Sequence, residues 1–324
     1  MKPRLIAVLA FGVCALALGL CDQALAQFPA RPVRLIVPAA AGGPTDLVAR
    51  LVSQGLAEAW NQRVIVENRP GAGGIVGTEL VVHAAPDGYT LLLSSAVPIV
   101  MSRHLMARLP FDPQKDLAPI AQIASVPTVL YASPRIPVTT VAELAAYIKA
   151  RPGQLNFASA GPGTMPHLAG ELFKKQAQLD LVHVPYKGGP AASTAVMSGE
   201  AVLYFDTTAA LATAAAGKLR ALMIASPRRH AKAPDVPTAA EAGLPEFVAD
   251  PWYGLLAPAK TPRELVERIH TDLAKVLRNA VARERIVNLG FEPVDSSPER
   301  FAETIASESA RWGAIIRATG IRAD

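Results

Sequence analysis

The feature that most constrains the fold of this 324-residue chain is an alternation of short apolar runs with stretches of helical period, sustained from residue 33 to residue 257. Strand-length runs bounded by turn residues and followed by 3.6-residue periodicity are the signature of α/β layering. The first unit reads as a strand over 33–37, then a helix over 45–60 with Leu47, Val48, Leu51, Val52 and Leu56 on one side. Strands over 64–67 and 89–94 follow, separated by a helix opening near Gly74. Arg69-Pro70-Gly71 and Pro86-Asp87-Gly88 are turn punctuation.

A second series begins around Val129, with helices over 141–150, 165–178 and 189–198 and strands over 156–158, 181–183, 201–205 and 221–225. A short helix over 208–216 lies between the last two strands. A Pro-rich stretch, 226–245, interrupts the series, and 252–257 reads as a strand returning to the first unit. Long helices follow over 262–278 and 297–319, the latter with Phe301, Ile305, Trp312 and Ile316 on one face. The expected division is 27–128 with 248–290 as one domain and 129–247 with 291–324 as the other. Two α/β units joined by more than one crossing leave a cleft, where ligands meet the carboxyl ends of strands and hinge closure can enclose them.

Residues 1–26 stand apart from the fold. Lys2 and Arg4, an apolar run over 5–20 and Ala24-Leu25-Ala26 read as an export signal cut after Ala26. Cys21 opens a lipid-anchor alternative, but the bulky Leu20 precedes it where a small residue is wanted. Both cysteines lie in this segment, so the mature chain would fold without disulfides and depend on a large apolar core. The net charge of +5 is a mild surplus from scattered basic residues. Nucleic-acid binding would want a basic stripe, which is lacking.

The chemistry concentrates in small-residue loops at helix starts. VPAAAGGPTDLVAR, 37–50, sets two glycines and a Thr-Asp pair between a strand and a helix, with no cation before Arg50. Thr45 or Asp46 can cap that helix, while free N–H groups and the helix dipole attract a carboxylate. The bland alternative is a capped corner. GAGGIVG, 71–77, is not a G-x-G-x-x-G fingerprint and reads better as a tight turn with close helix packing. Ser159-Ala160-Gly161-Pro162-Gly163-Thr164 precedes the helix that carries His167, a third such loop. His167, His183 and His230 lack metal-ligand spacing, and no nucleophile elbow or phosphate loop occurs. No metal, cofactor or catalytic set is expected. Asp206 follows a strand and is as much a cap candidate as a site residue.

The ordered segments VPAAAGGPTDLVAR, VENRPGAGGIVG, PDGYTLLLSS, SAGPGTMPHLAGELF, VHVPYKGGPA, PDVPTAAEAGLP, WYGLLAPAKTP and RWGAIIRATGIRAD resemble the extracytoplasmic solute receptors of tripartite tricarboxylate transporters, the Bug family. The resemblance implies a two-domain Venus-flytrap fold in the periplasm that closes on a carboxylated small molecule and hands it to membrane permease subunits. It implies a monomer and a receptor in place of an enzyme. Signalling to a membrane sensor is the alternative output, and an exported nucleotide-dependent enzyme the remote one. Carried over by position, Ala39, Ala40, Gly42, Gly43, Thr45 and Asp46 would cradle the carboxylate, with Ser94 and Ser95 beside it. Ser159, Gly163, Thr164, His167, Tyr186 and Asp206 would meet the distal part of the ligand. Relatives frequently place an aromatic ring where this chain has Ala39, so pocket size does not transfer.

Overall fold

The computed structural model describes residues 28–226 and 228–322, so the expected export signal lies outside the described residues. Strand β1 (Val33–Val37) leads into α1 (Pro44–Trp60), β2 (Val64–Asn68), α2 (Ile75–Val82) and β3 (Thr90–Ser95). After short helical turns come β4 (Leu117–Ser125) and β5 (Thr128–Ala132). The second unit continues with α3 (Val141–Lys149), β6 (Asn156–Ser159), α4 (Met165–Ala177), β7 (Val182–Pro185), α5 (Gly189–Ser198), β8 (Leu203–Thr207) and β9 (Arg220–Ile224). The chain then returns through β10 (Trp252–Pro258), α6 (Arg263–Arg278), α7 (Ala280–Asn288), β11 (Glu292–Pro293) and α8 (Pro298–Thr319).

Two mixed sheets result, in the orders β11-β4-β10-β3-β1-β2 and β7-β6-β8-β5-β9. Strand β1 runs parallel to β2 on one side and β3 on the other, and β6 runs parallel to β7 and β8 in the same manner. Each of these strands is therefore a point where the winding direction reverses, the place where an open α/β sheet leaves a crevice at its carboxyl end. The loops that follow β1 and β6 are the two glycine-bearing loops singled out by sequence.

Both sheets are packed on both faces at their centres, where β3, β5 and β10 are buried along nearly their whole length. Val33, Leu35, Val37, Leu91, Leu93, Tyr253 and Leu255 face one core with α1 and α6. Ile36, Leu92, Trp252 and Leu256 face a second core, which is continuous with Leu130, Phe157, Leu203 and Phe205 of the other sheet. Val129, Tyr131, Ala158 and Tyr204 point the opposite way, toward α5. Helix α8 buries Phe301, Ile305, Trp312 and Ile316, and the Phe301 ring meets Trp252 edge-on at 4.8 Å.

Two differences from the sequence expectation have physical causes. Strand β4 was not anticipated because LAPIAQIAS carries Pro119, which removes a ladder donor. The strand accommodates it at a register shift, where Pro119 lies opposite Leu256. Residues 291–324, assigned by sequence to the second domain, instead begin by pairing Glu292 and Pro293 with Ser125 and Ala124 of the first sheet. The two crossings between sheets run side by side, with the Val126 N–H donating to Pro251 O at 2.8 Å and the Thr128 N–H to Ala249 O at 3.2 Å. Among the described residues no helix is long and apolar enough to cross a membrane.

Candidate functional site

The loop after β1 is a helix start held open from beneath. Gly43 is the N-cap, in extended conformation and with no side chain to close the end, and Pro44 occupies the first turn. The opening N–H groups of α1 thus lack both intrahelical partners and a cap. This corrects the expectation that Thr45 or Asp46 caps the helix. Asp46, only 1% exposed, turns its carboxylate back under the loop. There Oδ2 accepts the Gly42 N–H and Arg50 Nε, both at 2.9 Å, and Oδ1 accepts Asn68 Nδ2 at 3.0 Å. Asn68 Nδ2 also donates to Ala39 O at 3.1 Å, so the end of β2 ties down both sides of the loop. Burial works against the ionised carboxyl of Asp46, but the bonds from Arg50, Gly42 and Asn68 outweigh it and hold its pKa below the usual range. Asp46 thus braces the loop from below, and Ala40 and Gly42 lie exposed above it.

The loop after β6 repeats the construction. Gly42 and Gly163 both adopt positive φ, +79° and +70°. Gly163 donates its N–H to His167 Nδ1 at 3.1 Å, the same four-residue reach as Gly42 to Asp46. The N-cap residues Gly43 and Thr164 each donate N–H to the carbonyl three residues back, at 3.4 Å in both loops. Each also accepts from the residue four ahead, Leu47 or Leu168, at 3.0 Å. One design therefore serves both units, with a carboxylate strut in one and an imidazole strut in the other.

The imidazole strut is neutral. Accepting the Gly163 N–H at Nδ1 places the His167 proton on Nε2, and burial, then Lys174, push its pKa down to about 4. His183 stacks on His167 with centroids 3.9 Å apart and on Phe157 at 4.9 Å. Its pKa is likewise lowered to about 4, by burial first and then by His167. Ser159 is fully buried, with Oγ 2.6 Å from His183 Nε2 and accepting the Gly161 N–H at 3.1 Å. Thr164 Oγ1 donates to Gly161 O at 2.7 Å.

The remaining expected residues are less uniformly placed. Ser94 is buried and its hydroxyl turns to Ser95 O, whereas Ser95, at the carboxyl end of β3, is half-buried. Tyr186 donates its backbone N–H to Ser159 O at 2.9 Å and its hydroxyl to Glu200 Oε1 at 2.8 Å. Asp206 sits half-buried at the end of β8, beside the β6 loop in the sheet order. Burial raises its carboxyl to about 6 despite the Thr207 N–H donated at 2.7 Å. A folded pKa above the unfolded value near 3.9 means the favourable contribution is present below that value and lost as pH rises through about 6. Asp206→Asn is therefore expected to stabilise the protein by ~1–3 kcal/mol at pH 8, with the gain vanishing near pH 4. Chemical denaturation at the two pH values measures it.

Sequence reasoning missed Asn68, which acts through contacts between distant segments, whereas the tight turn with close helix packing expected at 71–77 is what the structure has. A Cβ on Gly77 would come within 2.7 Å of Arg69 O and 2.8 Å of Pro38 Cα, so α2 packs directly against the start of the first loop. Gly74 leaves 3.3 Å to Pro38 O and 3.1 Å to Pro98 Cγ. Next to this turn, a cavity of about 400 Å³ opens between Ala72, Gly73, Val97 and Ser102 of the first unit and Gly163, Thr164 and Met165 of the second. Of the expected site residues, only Gly163 and Thr164 line it.

The family model described as the tripartite tricarboxylate transporter family receptor matches residues 48–321. The chain belongs to this family. BugT of Bordetella pertussis is 36% identical to this receptor over 98% of each chain. Among solved structures, R. palustris Rpa4515 with adipate superposes with a TM-score of 0.80 at 32% identity, covering 91% of this chain and 99% of that one. MatC from Rhodopseudomonas palustris with bound malate gives 0.77 at 34% identity, over 89% and 100%. The two-sheet architecture is thus that of solute-binding proteins of the tripartite tricarboxylate type.

Proposed function

We propose that this receptor works in the periplasm, exported by residues 1–26, and that it binds a carboxylated small molecule without transforming it and delivers it to membrane permease subunits. The observation that carries this reading is the paired loop geometry. Each unit presents an uncapped helix start at its winding reversal, braced by a side chain four residues beyond a positive-φ glycine. Helix starts hold anions through backbone N–H groups and about half a unit of positive charge, so no cationic side chain is required.

In this reading the backbone of 39–45 receives the carboxylate, and 159–164 approaches when the units close about the paired crossings at 126–128 and 249–251. Ser95 borders the first loop, while Asp206 and Tyr186 stand behind the second. The first domain comprises 27–128 and 248–290, to which β11 adds a short edge strand, and the receptor acts as a monomer. The adipate and malate held by the two relatives make dicarboxylates natural first candidates, together with tricarboxylates, acidic amino acids and aromatic acids.

A thermal-shift screen tests the proposal on protein unfolded and refolded to remove acquired solute. A carboxylate at a hundred times its dissociation constant adds ~2.7 kcal/mol, for a melting shift of roughly 5–10 °C in a chain of this size. Shifts confined to carboxylates support the receptor reading. A folded protein that no carboxylate stabilises would overturn it.

A further inference from the structure

We infer that Asp250 is a proton switch in the hinge, and that its ionisation biases how the two units sit about the paired crossings; this rests on the closure assigned in the receptor reading above. Asp250 lies in the returning crossing, between the two residues whose carbonyls accept the Thr128 and Val126 N–H groups of the outgoing one. Segments that join two domains absorb the backbone rotation when a cleft closes, so a side chain lodged among them meets different neighbours in the two placements.

Three carboxyl groups converge at this point. Glu292 of β11 and Glu308 of α8 face Asp250 with like charge, while Arg311 of α8 and Ser125 at the end of β4 favour its ionised form. Arg311 is shared, with Nη1 donating to Val248 O and Nη2 lying 3.5 Å from Glu308 Oε1. Glu308 Oε2 in turn accepts Trp252 Nε1 at 3.0 Å. The buried His230 faces Glu292 with Lys232 beside it, and burial lowers its pKa, so the ring brings no charge at neutral pH. Oδ1 of Asp250 is enclosed and accepts no hydrogen bond from any described residue. An ionised carboxylate so placed is costly, and protonation removes the cost. Burial first, then Glu292 and Glu308, raise the carboxyl to about 7.

The groups around Asp250 are carried by different units. Glu292 is fixed to the first sheet by the pairing of β11 with β4, and α8 packs on β4 as well. Residues 248–250 lead out of the second unit, where Phe247 stacks on Phe205 of β8 at 5.4 Å. Rotation of the second unit thus moves Asp250 against Glu292 and Glu308. The carboxyl holds its proton more tightly in the placement described here than it would in water, so protonation favours this placement. The preference is complete below the ordinary aspartate value of about 3.9 and is lost as pH rises through about 7.

Pulsed dipolar spectroscopy between two spin labels, one in each unit, tests the inference without any solute. The cysteines of the chain, Cys14 and Cys21, both lie in the expected export signal, so Glu58→Cys on α1 and Lys149→Cys on α3, both exposed, give exported protein a single labelled pair. On refolded, solute-free protein, the population ratio of the two inter-unit distances is expected to change by at least ~10-fold between pH 5 and pH 8. Asp250→Asn, uncharged at both values, should show one distribution throughout. Glu292→Gln, which leaves Asp250 in place and removes a facing carboxylate, should move the midpoint to lower pH, and it keeps the test decisive if Asp250→Asn does not fold. A distribution that ignores pH, a response that survives in folded Asp250→Asn, or a midpoint unmoved in Glu292→Gln overturns the switch. Each of these results leaves the receptor reading standing, since that reading fails only if no carboxylate stabilises the protein.

Discussion

Asp46→Ala is expected to raise the dissociation constant of the bound carboxylate by ~30- to 100-fold and to lower stability by ~2–3 kcal/mol. The carboxylate is buried below the loop and unites Gly42, Arg50 and Asn68. Its removal leaves the Gly42 N–H and one bond of the Asn68 amide without a partner, and the exposed guanidinium of Arg50 turns to water. The loop then loses the positive-φ conformation that holds the helix start open. Asp46 is a positioning residue, so its effect should separate from folding. Asp46→Asn, which keeps the shape and an acceptor oxygen, should recover most of the stability and only part of the affinity. Calorimetry and urea denaturation on the two variants measure both quantities, and an unchanged affinity in Asp46→Ala would show that the first loop does not hold the solute.

Phe157→Ala has the largest expected effect on stability, a loss of ~3–5 kcal/mol. The ring is fully buried and stacks on His183, and it fits only because residue 170 is glycine, where a Cβ would approach its Cε2 to 2.1 Å. It also shields the two neutral imidazoles behind the second loop. Histidines that titrate near 4 when folded and near 6.5 when unfolded give stability that is complete above 6.5 and is lost as pH falls toward 4. The wild type should weaken through this interval. In Phe157→Ala, water reaches both rings, their pKa values relax upward and the slope flattens. Denaturation midpoints between pH 4 and pH 7 measure this, and equal slopes in the two proteins would mean that the ring does not keep the imidazoles dry.

The elements legible in the sequence are those whose local pattern agrees with their tertiary setting. Strand β1 is apolar at every position but Arg34, which pairs with Glu67 of the neighbouring strand, and α8 shows its buried stripe of Phe301, Ile305, Trp312 and Ile316 directly. Strand β4 was hidden because Pro119 contradicts the local pattern and only the bulge opposite Leu256 reconciles them. At the site, the two loops were visible as composition, but the roles of their side chains were not. Asp46 stands four residues after a positive-φ glycine, and that offset turns it from a cap into a strut. His183 joins His167 through strand pairing between β6 and β7, and Asn68 reaches the first loop from the end of a neighbouring strand. Such contacts depend on strand order, which one sequence does not display.

In the proposed reading an anion is held at the start of α1 by backbone N–H groups, without a cationic side chain. The most direct measurement is an amide nitrogen–proton NMR titration of the solute-free receptor with the carboxylate that gives the largest thermal shift. The amides of Gly43, Thr45 and Asp46 are expected to move the furthest, those of 159–165 to respond with the same dissociation constant, and both responses to need ~30- to 100-fold more ligand in Asp46→Ala. Saturable shifts centred elsewhere, with the amides of 39–46 unmoved, would contradict it.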